Sequence, residues 1–194
     1  MSSELKTHYT DNNCLECLRS AYLIDSVTIR CNKYQSVNFL VDQSGSIGAA
    51  NFQYALKFVE TYVGQTYDDL SIMSIHFYST TYQTYIGYGN NRANMITMIK
   101  NKPYPGGGTL TGKAINASVA TIASGNYPNG VPKLLVILTD GVSYDDVFYA
   151  SEYARSQGIT LFCVGIGGGI NVPQLKQIAG TDSNILYISA YNTL

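Results

Sequence analysis

The sequence predicts an α/β protein: an open, doubly wound, mostly parallel central sheet flanked by helices. Two patterns carry this prediction. From Val37 onward, apolar runs of strand length alternate with stretches whose apolar residues recur at helical spacing, as in a sheet covered on both faces. Two of the runs, Val37-Asn-Phe-Leu-Val-Asp42 and Leu134-Leu-Val-Ile-Leu-Thr139-Asp140, also end in an acid. Ligands of open α/β sheets bind outside such carboxyl ends of strands, where connections diverge to opposite faces.

The first strand is expected over 36–42, buried on both sides because its run is nearly continuous in apolar residues. Phe52, Leu56, Val59 and Val63 then recur at helical spacing. Residues 70–78 read as a second strand and 82–88 as a third, at the sheet edge. Met95, Ile96, Met98 and Ile99 mark a short helix that ends near Pro103. A helix over 111–124 follows a glycine loop, 133–139 is a strand, 145–157 a helix closed by Gly158, and 159–165 a strand. After Pro173 a short helix covers 174–179, and 185–189 is the last strand.

With 194 residues the chain has the size of one domain with a substantial core. The reading divides it into a cysteine-containing extension over 1–33 and a domain over 34–194. Residues 18–29 are apolar enough to pack on that domain, as a helix or a hairpin. Against 45% hydrophobic residues, only 13% are charged, and 12 Lys+Arg balance 13 Asp+Glu. That balance gives no electrostatic reason to expect nucleic acid or an anionic membrane as partner. No apolar run approaches the roughly 20 residues that span a bilayer, so direct membrane insertion is not expected. The first residues lack the apolar core of a secretion signal: either the chain is not secreted by that route, or a signal has been replaced by a new Met. Cys14, Cys17 and Cys31 cluster before the first strand, where one disulfide with a leftover thiol and three free thiols are both open. Cys163 sits in a strand and reads as a small core hydrophobe.

Three segments carry oxygen ligands. Asp42-Gln-Ser44-Gly-Ser46 places a carboxylate and two hydroxyls at alternate positions just past a buried strand. Gly106-Gly-Gly108-Thr109 brings a hydroxyl on a loop whose glycines let backbone approach an ion, and Asp140 follows the strand ending at Thr139. Small neutral and acidic oxygen ligands suit Mg²⁺ or Mn²⁺, which take about six oxygens and keep some as water.

On these motifs the chain resembles the von Willebrand factor type A domain family, also called the integrin I domain. The resemblance runs from about Val37 to Tyr187, including Asp140-Gly-Val-Ser-Tyr-Asp145 and Val164-Gly-Ile-Gly167. It implies a Rossmann-like fold with a metal-ion-dependent adhesion site whose five positions are filled by Asp42, Ser44, Ser46, Thr109 and Asp140. The two serines and the threonine would bind the ion directly, with an aspartate acting through water. A partner's Asp or Glu carboxylate would take the open coordination position. Gly108, Tyr144 and Asp145 are expected on the ligand rim, although the acids could instead cap a helix N-terminus. The resemblance also implies a helix after the last strand, and this chain, stopping at Leu194, is expected to lack it.

Other chemistries find weaker support. Gly107-x-x-x-x-Gly112-Lys113 nearly spells a phosphate loop, but Ala114 stands where Ser or Thr would bind Mg²⁺. Gly165-Ile-Gly167-Gly-Gly-Ile170 lacks the third glycine of a dinucleotide loop. A phosphatase built on Asp42 would need an acid two residues on, and Ser44 stands there. His76 lies inside a strand and His8 in the tail, so no Ser/His or Cys/His pair is expected. Asn116-Ala-Ser118 is a glycosylation sequon in a helical setting. The reading is therefore a non-enzymatic module that binds a carboxylate-bearing protein, collagen or another matrix or cell-surface protein, in an extracellular or cell-surface setting. The rival is an intracellular scaffold domain of a multi-subunit complex. Tyrosines around 78–88 are expected to be half-buried sheet residues or a sticky face.

Overall fold

The computed structural model describes residues 35–65, 71–125 and 130–188. Its centre is a six-stranded sheet of β1 (Gln35–Asp42), β2 (Ser71–Tyr78), β3 (Tyr82–Ile86), β4 (Lys133–Thr139), β5 (Ile159–Ile166) and β6 (Ile185–Ile188), in the order β3-β2-β1-β4-β5-β6. All neighbours are parallel except β3, which runs antiparallel to β2 at one edge with an irregularity between Ile75 and His76. The helices are α1 (Gly48–Gln65), α2 (Arg92–Lys100), α3 (Thr111–Ser124), α4 (Phe148–Ser156) and α5 (Val172–Ala179).

Strand alternation sorts the core into two layers. Val37, Phe39 and Val41 of β1 point to the face covered by α1 and α2, where they meet Phe52, Val59, Val63, Met95 and Ile99. Leu40 points the other way, into a second layer with Tyr78, Ile115, Ile137, Ala154 and Leu175. Each fully buried Phe or Leu contributes about 1.5–3 kcal/mol, which is why the four apolar positions of α1 suffice to dock it. Cys163 is one of these buried residues, and burial pushes its thiol well above the ordinary thiol range.

The sequence-based elements match closely, and the differences have local causes. The helix expected from 145 begins at Phe148, because Asp146 Oδ1 accepts the N–H groups of Phe148 and Tyr149 at 2.8 and 3.2 Å and so opens it. β3 stops at Ile86 rather than at 88. A turn intervenes, in which Asn90 Nδ2 donates to the Gly87 carbonyl and Gly89 takes a φ of +87°. α5 starts at Val172 because Asn171 caps it, accepting from Gln174 N. Cys14, Cys17, Cys31 and the whole 1–33 extension lie outside the described residues.

Strand order places the sites. β1 and β4 are neighbours, yet the chain leaves β1 toward α1 on one face and β4 toward α4 on the other. The carboxyl ends of these two strands therefore flank the crevice in which open α/β sheets bind ligands. Asp42 ends β1, and Asp140 directly follows β4.

Candidate metal centre

Asp42 is fully buried at the last position of β1, opposite Tyr78 in register. Its carboxylate is held from three sides. Ser44 N donates to Oδ1 at 2.8 Å, and Thr139 Oγ1 and the Tyr78 hydroxyl donate to Oδ2 at 2.7 and 3.3 Å. Ser44 is buried and Ser46 exposed, and their Oγ atoms lie 3.0 Å apart. The intervening Gly45 donates its N–H to Gly107 O at 2.7 Å, an approach close enough that a Cβ on Gly45 would sit 3.3 Å from that oxygen.

That bond joins the first loop to the second. Gly106 and Gly107 take φ of +74° and +118°, backbone that only glycine adopts without strain, and they set Thr109 at 2% exposure. The Thr109 carbonyl accepts the Tyr144 N–H at 3.0 Å, which joins the second loop to the third. In the third loop Asp140 is 6% exposed, and its Oδ1 accepts Val142 N at 3.0 Å. The structure thus laces all three predicted segments at one crest of the sheet through backbone hydrogen bonds.

The electrostatics of the crest are unusual for a protein interior. Burial pushes the Asp42 carboxyl above the usual carboxylate range. Hydrogen bonds from Ser44 and Thr139 work against that rise, and the nearby charge of Asp140 adds to it. Among the described residues neither acid forms an ion pair: those present are Lys57–Glu60, Lys100–Glu60, Arg155–Glu152 and Lys176–Asp182. Two mutually repelling buried carboxylates without a counter-charge are costly, and a cation would offset that cost. The donor set fits a hard ion. Ser44 Oγ and Ser46 Oγ are hydrogen-bonded at 3.0 Å, a separation that also equals the roughly 3.0 Å between adjacent ligands of an octahedron with ~2.1 Å bonds. Among the described residues no group of three or more His, Cys, Asp or Glu side chains could hold a metal, so a cation here would rest largely on hydroxyl oxygens.

The three residues expected on the rim behave differently from one another. Tyr144 stands 80% exposed beside the crest, and Gly108 is half-buried with its N–H donated to Thr80 Oγ1 at 3.0 Å. The Asp145 carboxylate is committed to the N-terminus of α3, accepting Gly112 N at 2.9 Å, Lys113 N at 2.8 Å and Ser143 Oγ at 2.7 Å. The alternative weighed from sequence, an acid capping the helix that follows, is met by Asp146 at the start of α4, whereas Asp145 caps α3 in trans. The same bonds place a carboxylate where the near-match to a phosphate loop would need a phosphate.

Sequence reasoning missed Tyr78, Thr139, Tyr104 and Ser143. Tyr78 and Thr139 end the two strands beside β1, and their alternation aims them at the face on which Asp42 lies. Tyr104 donates to the Ser44 carbonyl at 2.7 Å and steadies the first loop, and nothing in its local sequence signals this.

One expected absence is corrected. Ser74 Oγ and His76 Nε2 lie 2.7 Å apart, a pairing created by their i, i+2 spacing on one face of β2. Ser74 gives its only proton to Asn38 Oδ1 at 2.7 Å, so the Nε2–H of His76 must be the donor to Ser74. Nδ1 then accepts from the Tyr82 hydroxyl at 2.8 Å, and burial lowers the imidazole to about 4. Both residues are fully buried, so this is a neutral structural seam and not a nucleophile with its base.

Comparison with known proteins agrees with this fold. The chain is 35% identical over 146 residues to cochlin of Bos taurus, a match covering 70% of this chain and 26% of cochlin. It therefore spans about a quarter of that relative's length. Manganese-loaded TRAP protein of Plasmodium vivax superimposes with a TM-score of 0.72 at 19% identity, covering 82% of this chain and 70% of that one. Proximal thread matrix protein 1 from the mussel byssus, described with a zinc-occupied MIDAS motif, gives 0.74 at 21% identity, covering 83% and 45%. The family model for the von Willebrand factor type A domain matches residues 36–194, and the chain belongs to that family.

Proposed function

We propose that this domain is a metal-dependent adhesion or protein-recognition module. Ser44, Ser46 and Thr109 would hold Mg²⁺ or Mn²⁺ directly, with Asp42 and Asp140 acting around it. The observation that carries the reading is the pair of serine hydroxyls 3.0 Å apart, beside two buried carboxylates that form no ion pair among the described residues. Hydroxyl ligands leave most of the ion's charge uncompensated, so the bound cation supplies an electrophilic position for an incoming carboxylate. Ser46 is exposed, which opens the crest on that side to a partner. The family membership supports the reading, as do the manganese and zinc named for the two structural relatives.

The ligand is an Asp or Glu side chain of a protein, with collagen or another matrix or cell-surface protein as its class, in an extracellular or cell-surface setting. The module has no catalytic role, and its specificity comes from the crest surface around Gly108 and Tyr144. Among the described residues no helix is long and apolar enough to cross a membrane.

The test is surface binding to a triple-helical collagen peptide carrying Glu, and to its Gln counterpart, in Mg²⁺ and in EDTA. Binding that requires both Glu and Mg²⁺, and that Thr109→Ala abolishes without loss of fold, is the expected result. Binding indifferent to EDTA would overturn the mechanism.

A further inference from the structure

Tyr78 is fully buried in the layer formed with Leu40, Ile115 and Ile137, a setting that a Phe would fill equally well. Its hydroxyl distinguishes it. The phenol lies 3.3 Å from Asp42 Oδ2 and 3.1 Å from Thr111 Oγ1. A carboxylate only accepts, so the single phenol proton goes to Asp42 and the Thr111 hydroxyl donates to the phenol oxygen. The result is a directed chain from Thr111 through Tyr78 to Asp42.

This chain connects two of the three loops at the crest. Thr111 opens α3 two residues after Thr109, and its own N–H is fixed by Ser143 Oγ at 2.9 Å. At the other end Tyr78 shares Oδ2 with Thr139 Oγ1, itself anchored by accepting Gly141 N at 3.0 Å. Two donors occupy Oδ2. Oδ1, whose partner is the backbone N–H of Ser44, is left as the oxygen with capacity toward the serine hydroxyls.

We infer that Tyr78 is a positioning residue of this centre: its hydroxyl ties α3 to Asp42 and turns Oδ1 toward the cation or a water on it. This rests on the cation reading above. Partners one step behind metal ligands commonly change metal affinity 10–100-fold when removed. The 3.3 Å contact is long for O–H···O, so the low end, about tenfold, is expected for Tyr78→Phe.

The experiment is Mn²⁺ titration by calorimetry on the intact chain, Tyr78→Phe, Thr111→Val and Tyr82→Phe. It is accompanied by metal-free urea unfolding and by the amide resonance of Ser44, whose N–H reports Oδ1 directly. Tyr82 also carries a buried-side hydrogen bond on this face, to His76, but does not touch the centre. Expected are a roughly tenfold weaker Kd in Tyr78→Phe, a smaller loss in the same direction in Thr111→Val, and no change in Tyr82→Phe. The Ser44 amide of the metal-free chain should shift in the first two variants only. If Tyr78→Phe lowers metal-free stability but keeps Kd within twofold and leaves Ser44 in place, Tyr78 only packs, and the inference falls while the cation reading stands. If Tyr78→Phe does not fold, an unchanged Kd in Thr111→Val overturns the inference in its place. Absence of Mn²⁺ binding in the unaltered chain overturns both.

Discussion

His76 should contribute to destabilisation of this domain by acid, and the size of its contribution follows from its surroundings. His76 is fully buried on β2, donates from Nε2 to Ser74, accepts at Nδ1 from Tyr82, and titrates at about 4 in place of 6.5. The unfolded chain therefore takes up a proton between pH 6.5 and 4 that the folded chain refuses, so stability rises with pH across that window. The contribution lost between pH 7 and 5 is about 2 kcal/mol, and about 3 kcal/mol once pH falls below 4. For a domain of this size 2 kcal/mol corresponds to a drop in Tm of roughly 4–8 °C. His76→Gln keeps one donor and one acceptor on that side chain and removes the titration. Urea unfolding of both chains from pH 4 to 7.5 should give the unaltered protein the steeper profile. The difference between the two isolates His76 from every carboxylate they share. Parallel profiles would refute the assignment of a buried neutral imidazole.

Three further outcomes follow from named contacts. Asp145→Ala should cost about 1–2 kcal/mol, because Gly112 N and Lys113 N at the start of α3 lose their acceptor. Cation binding should persist in that variant, which thermal melts with and without Mn²⁺ will separate. Gly112→Ala should be worse, about 3 kcal/mol at the upper end for overpacking, because the added methyl would collide with the backbone carbonyl of Asp146, which cannot swing aside. Its urea midpoint should fall with an unchanged slope. Phe162→Ala, deep in the layer under α1, should cost about 3–5 kcal/mol by the same assay and leave cation affinity near its starting value.

The fold was legible because its information is periodic. Near-continuous apolar strands such as Leu134–Leu138, and the 52, 56, 59, 63 spacing of α1, are signals that a parallel sheet covered on both faces can hardly avoid. The candidate ligands were legible because each sits at a strand end or on a glycine loop. What escaped depends on contacts between distant segments. Asp145 looked like a rim residue because its position along the chain is next to the crest, yet its carboxylate reaches across 33 residues to Gly112 N. The Ser74–His76 pair was overlooked because a strand interior was read only for burial, although i, i+2 residues share a face. Tyr78 lies 36 residues from Asp42 and meets it only through strand register, which no local pattern announces.

The central claim is that the crest formed by Asp42, Ser44, Ser46, Thr109 and Asp140 is where a divalent cation binds. Paramagnetic broadening of amide resonances during stepwise Mn²⁺ addition reads that location directly. The account predicts that Ser44, Gly45, Ser46, Gly108, Thr109 and Gly141 broaden first, at low Mn²⁺, and that Asp42→Ala removes the effect. Broadening that begins instead at exposed acids such as Glu152 or Asp182, or that survives Asp42→Ala, would contradict it.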